Sequence, residues 1–239
     1  MAKTALRIND QGEPHSLPGL HVLGQAQVLG KAQVLGRILD KALIQDRARV
    51  LDHATVSGMA TLSDDSLVGG HATVSGSVKM FERSVVCEQA QVSGHVNLLG
   101  NTYIRGLAQV SGLVHLDGVR VSGSARIVGL SDHHSYMRIA GSVITGRAQV
   151  TGRVTILDGA HLSDDALVQE FATLTGPVRV RDQARVSGHA QVSDCTLEGT
   201  VHVTGDAEIL GGTWTEGVVS TGSWKAPGVP YSEPPKVSL

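Results

Sequence analysis

The chain has 239 residues, 41% hydrophobic but only 3% aromatic, with 20 basic against 22 acidic side chains and a net charge of −2. That balance excludes the basic excess of a nucleic-acid-binding surface or a polybasic membrane contact. Two Trp, three Tyr and two Phe cannot fill a broad core, so a narrow interior built from Val, Leu, Ile and Ala is expected.

Residues 1–19, with Pro14 and Pro18, carry no repeat and read as an N-terminal cap. They hold no apolar stretch of signal-peptide length, and no segment of the chain reaches the ~18 uninterrupted apolar residues of a membrane span. The two cysteines, Cys87 and Cys195, cannot form a disulfide framework. A cytoplasmic, membrane-free protein is the expectation. From Val22 a six-residue unit takes over: small, any, aliphatic, any, Gly or Asp, any. Ala26-Gln-Val28-Leu-Gly30 is followed by Ala32-Gln-Val34-Leu-Gly36, and the unit returns as Ala54-Thr-Val56-Ser-Gly58, Ala90-Gln-Val92-Ser-Gly94, Ala148-Gln-Val150-Thr-Gly152 and Ala184-Arg-Val186-Ser-Gly188. The aliphatic slot is filled at thirteen successive positions six residues apart from Ile44 to Leu116 and at nine from Ile144 to Val192, with five-residue steps such as Leu116 to Val121 keeping phase between. Counting to Ile209 gives 33 units, of which only the one at His133 lacks an aliphatic residue.

Three columns follow from this repeat. In a short strand, alternate side chains share a face, so the small and aliphatic columns point inward. The Gly/Asp column marks a bend with positive φ, a conformation few other residues tolerate. Bending in one sense after every unit coils the chain into a prism, and three units per coil give 33/3, or about 11, triangular coils over residues 20–211. At ~4.8 Å between strands the rod is about 50 Å long. Fixed glycines exclude an amphipathic helical repeat, and strands this short exclude a transmembrane barrel. The fold class is therefore all-β, a single-stranded parallel β-helix, with residues 212–239 as a C-terminal cap or tail.

The in-phase units of residues 20–211 resemble the hexapeptide-repeat left-handed β-helix superfamily, which is bacterial-type in character. The resemblance implies left-handed coiling and homo-oligomers, commonly trimers with sites between subunits. Many members are acyl-CoA-dependent transferases, others are γ-type carbonic anhydrases, and a further group is nearly all repeat with no assigned chemistry. This chain is most similar to that last group, because it lacks the protruding loop and helical C-terminal domain that often accompany acyl transfer.

Candidate chemistry is sparse. Leu130-Ser-Asp132-His133-His134-Ser135-Tyr136-Met137 is the strongest irregularity. If it leaves the coil as a loop, His134 or His133 can serve as general base with Asp132 orienting the ring, the role a histidine holds in the family's acyltransferases. No second motif accompanies it, and a solvated loop explains it equally. His53 and His71 lie one coil apart, so their side chains should sit ~5 Å from each other. Zinc needs three or four ligands, and the next positions, Gln89 and Leu107, offer none, which favours solvated corner residues over a metal. Thr55-Val-Ser57 and Thr73-Val-Ser75 echo ice-binding ladders, but Gln91 and Gln109 replace threonine in the next coils. Asp64-Asp65 and Asp164-Asp165 read as turn residues. Trp214, Trp224 and Tyr231 either plug the open C-terminal end or form a docking segment. The expectation is a non-enzymatic scaffold that binds a protein partner or copies of itself and needs no cofactor. The alternatives are an acyltransferase using acetyl-CoA or another acyl-CoA and, third, a metal-dependent lyase.

Overall fold

The computed structural model describes residues 7–8, 14–15, 21–130 and 136–225. All regular structure among them is strand, most of it in two-residue segments wound into three sheets. Face 1 runs from His21–Val22 to Val218–Val219, face 2 from Gln27–Val28 to Ser223–Lys225, and face 3 from Gln33–Val34 to Thr213–Trp214. The chain visits them in that order, and each strand pairs in parallel with those one coil before and after. Thr55–Val56, for example, lies between Arg37–Ile38 and Thr73–Val74. The result is the expected all-β fold, a solenoid of about 11 turns matching a left-handed parallel β-helix. No helix among the described residues is long and apolar enough to cross a membrane.

The core is a single column of side chains. Ile38, Ile44, Leu62, Leu98, Ile127 and Ile156 in the aliphatic slots are fully buried, as are Ala42, Ala54, Ala90 and Ala148 in the small column. On face 3 the small column turns to hydroxyls at Ser66, Ser84, Thr102 and Ser142, all buried. Thr102 Oγ1 donates to the Leu99 carbonyl at 2.6 Å and Ser142 Oγ to that of Ala140 at 2.7 Å, which offsets the cost of placing a hydroxyl inside.

The corners show why that column accepts acids as well as glycine. Asp40, Asp46, Asp52, Asp64, Glu82, Glu88 and Glu170 all have φ between 56° and 65°. A left-handed conformation costs an L-residue roughly 1–2 kcal/mol. Each of these carboxylates accepts the backbone N–H of the corner residue one coil on: Asp40 from Gly58 at 2.9 Å, Asp52 from Gly70 at 3.0 Å, Asp64 from Glu82 at 2.9 Å and Glu170 from Gly188 at 2.7 Å. A charge-assisted bond to an amide is worth a comparable ~1–3 kcal/mol before solvent screening, so the strained corner and the cap compensate. Where the winding is tightest only glycine fits. The four-residue step from Val34 to Ile38 turns at Gly36, whose absent Cβ would lie 2.5 Å from the Ala54 carbonyl oxygen.

Two features depart from the repeat count. Ile127 pairs on face 1 with Val110 and Val150, whereas Ile139 pairs on face 2 with Leu116 and Ile156. They lie on consecutive faces of the winding, and residues 131–135, with the slot counted at 133, lie outside the described residues. The winding also continues beyond residue 211. Thr213–Trp214, Val218–Val219 and Ser223–Lys225 add one strand to each face, with Trp214 paired to Leu197 and Trp224 to Ile209. At the other end Arg7–Ile8 pairs in parallel with Gln27–Val28 and antiparallel with Pro14–His15, so the N-terminal segment covers the first face-2 strand.

Candidate functional site

Regular winding turns sequence offsets of 18 into vertical neighbours. At the corner between faces 3 and 1, His53, His71, Gln89, Leu107 and Ser124 form a ridge. Beside it Arg37, Thr55, Thr73, Gln91, Gln109 and Arg126 stand in register as the outward residues of face 1. An open groove follows the angle between the two rows. One part, of about 640 Å³, is lined by Leu35, Gly36, Arg37, Asp52, His53, Thr55 and His71. The other, of about 500 Å³, is lined by His71, Gln89, Gln91, Leu107, Gln109, Ser124 and Arg126, so the two meet at His71.

His53 and His71 stack as their spacing predicts, with ring centroids 4.9 Å apart and 26° between planes. Stacked imidazoles direct their in-plane lone pairs side by side rather than toward a common point, which is poor geometry for shared metal ligation. No group of three His, Cys, Asp or Glu among the described residues is placed to hold a metal ion.

Three arginines pair with carboxylates one coil on. Arg147 forms a bidentate pair with Asp165 at 2.7 and 2.6 Å, Arg47 meets Asp65 at 2.6 Å, and Arg181 pairs with Glu198. The Asp165 carboxylate holds Arg147 above its ordinary value, and Glu198 does the same for Arg181. Asp164 is held below the usual carboxylate range, first by the Ser163 hydroxyl donating at 2.8 Å and then by the Asp182 amide. Arg37 and Arg126 are exposed and, like Arg49, Arg83 and Arg185, have no ion-pair partner among the described residues.

Two clusters went unread in the sequence. Ser187, 3% exposed, lies 3.0 Å from His202 Nε2 and 2.9 Å from Thr204 Oγ1. The Ser187 hydroxyl has one proton to share between these two contacts, and the His202 tautomer sets which of them it serves. At the corner between faces 1 and 2, the Arg153 guanidinium lies over the Phe171 ring at 5.8 Å. Phe171 stacks on His189 at 4.8 Å, and His189 Nδ1 lies 3.8 Å from Asp206. The offset of 18 from 153 to 171 to 189 was the available signal.

Asp132, His133, His134 and Tyr231 lie outside the described residues; the flanking Leu130 and Tyr136 are exposed. Trp214 is half-buried against the last core residues, and its ring meets that of Trp224 edge-on at 6.5 Å and 88°. Their indole N–H groups donate to Gly211 and Thr221 carbonyls at 3.0 and 2.8 Å. On face 3, Leu67, Val85 and Tyr103 form a row of outward apolar side chains, with Val143 beyond Arg120. The Cys87 thiol donates to the Tyr103 hydroxyl at 3.5 Å, and this contact, more than burial, raises Tyr103 above its ordinary value. Cys195 points inward, and burial pushes its thiol up to about 12.

No protein-family profile matches the chain, and no curated protein matches it in sequence. Fourteen chains of solved structures match it in fold. One is UDP-N-acetylglucosamine acyltransferase from Campylobacter jejuni, 11% identical with a TM-score of 0.34; the match covers 74% of this chain and 66%, just under two thirds, of that one. At that identity the likeness is one of fold alone.

Proposed function

We propose that the chain is a rigid β-helical scaffold that associates with copies of itself through face 3. The observation that carries this reading is the in-register row Leu67, Val85 and Tyr103. These positions point out of the coil, yet they bear two aliphatic side chains and one aromatic where an ordinary solvated strand carries polar ones. A flat row repeating every coil matches itself on rotation about an axis along the rod, as a closed homo-oligomer requires. Sedimentation of the purified chain should show an oligomer that Val85→Arg converts to monomer with unchanged circular dichroism. A wild-type chain that stays monomeric across concentration overturns the reading.

The acyltransferase reading keeps one specific support, the twelve-residue passage from Ile127 to Ile139 where other steps take four to six, which carries Asp132, His133 and His134. In that reading His134 or His133 removes a proton from the acceptor and acetyl-CoA or another acyl-CoA is the donor. A melting temperature raised by acetyl-CoA, and no longer raised in His134→Ala, favours it over the scaffold.

A further inference from the structure

We propose that the groove between faces 3 and 1 binds a linear acidic oligosaccharide lying along the rod. Arg37 and Arg126 stand at its two ends, five strand steps apart in face 1, which at ~4.8 Å per step is about 24 Å. Between them the face presents Thr55, Gln91 and Gln109, hydroxyl and amide groups that each donate and accept. A polymer of hydroxyls needs both roles at every unit, and a sugar ring with its glycosidic link advances by nearly one coil spacing. The stacked imidazoles of His53 and His71 turn their ring edges, with nitrogens that donate or accept, toward the groove.

Other polymers fit less well. Inner strands are hydrogen-bonded to the coils on both sides, so an extended peptide finds no edge to join. Single-stranded nucleic acid needs a positive channel and aromatic stacking platforms, and neither Trp, Tyr nor Phe lines this groove. The guanidiniums at the ends, without an ion-pair partner among the described residues, select carboxylates over neutral sugars. Asp52, the one acid in the lining, is already bonded to the Gly70 amide.

Titration calorimetry on the full chain tests this with hexagalacturonate, trigalacturonate, neutral cellohexaose and hexaglutamate. The hexauronate should bind, and the trimer, unable to reach both ends, should bind at least about fivefold more weakly; loss of one charge contact in Arg126→Gln should weaken the hexamer roughly fivefold to tenfold. Arg185→Gln, on face 1 outside the groove, should leave binding unchanged. Repeating the titration with Val85→Arg separates an unsuitable groove from one covered by self-association on the neighbouring face. Absence of hexauronate binding in both proteins, equal affinity for trimer and hexamer, or equal binding of hexaglutamate overturns the proposal.

Discussion

At the scale of single residues, the corner carboxylates link stability to pH. Asp164 accepts from the Ser163 hydroxyl and the Asp182 amide while holding a φ of 57°. Both donors favour the charged form, so its folded value lies below the ordinary 3.8. A carboxylate lowered on folding stabilises the fold above its unfolded value, and that contribution disappears as pH falls through the folded one. Asn tolerates the same backbone region and keeps an acceptor oxygen but has no charge to lose. Thermal melts of Asp164→Asn should therefore lie below wild type at neutral pH, with the gap narrowing in acid below the ordinary carboxylate range. An equal gap at neutral and acid pH would show that charge at this corner does not matter. The glutamates in this column were not readable beforehand, because Glu82, Glu88 and Glu170 have no local preference for positive φ; only the amide one coil away explains them.

Among elements, the unit of the fold is the coil. Each strand's partners lie one coil away, so the inward columns and the corner caps depend on an offset of 18 residues. Removing residues 73–90 joins Ala72 to Gln91, restores the unit Ala-Gln-Val, and brings Thr55–Val56 against the strand that formerly lay two coils on. Removing only Thr73, Val74 and Ser75 deletes one face-1 strand and leaves a gap in that ladder between two otherwise intact coils. The larger deletion should stay folded by circular dichroism with a modestly lower melting temperature, and the smaller one should melt lower still. The opposite order would mean that coils are not interchangeable. The same periodicity explains what the sequence concealed. The passage from Ile127 to Ile139 spans twelve residues, a multiple of six, so counting in sixes stays in phase through it and adds a slot at His133, although Ile127 and Ile139 lie on consecutive faces. The run Ile209, Trp214, Val219, Trp224 advances by fives with indoles in aliphatic positions, and so reads as a tail although it completes the winding. The stacked pair His53 and His71 was legible from its offset alone, whereas the groove beside it depends on side-chain relief that spacing does not encode.

For the whole molecule, the rod is a one-dimensional array in which each coil touches only its neighbours, and its two ends differ. At the N-terminal end Arg7–Ile8 extends face 2 beyond the first coil. At the C-terminal end the last described strands have a partner on one side only, and Trp214 and Trp224 stand in their aliphatic positions, the second of them 48% exposed. Both tryptophans of the chain thus report on the same terminal coil. A terminal coil forfeits one of its two stacking interfaces and opens at lower free energy than the middle, where Leu98, Leu116 and Ile127 are wholly buried. In guanidinium titrations tryptophan emission should therefore change at a lower midpoint than far-ultraviolet circular dichroism, which averages over every strand. Trp224→Phe leaves Trp214, on the last strand of face 3 in the same terminal coil, as the single reporter, and the lower emission midpoint should persist. Superimposable curves from the two probes would mean that the entire rod unfolds as one cooperative unit, with its end coils as firmly held as its centre.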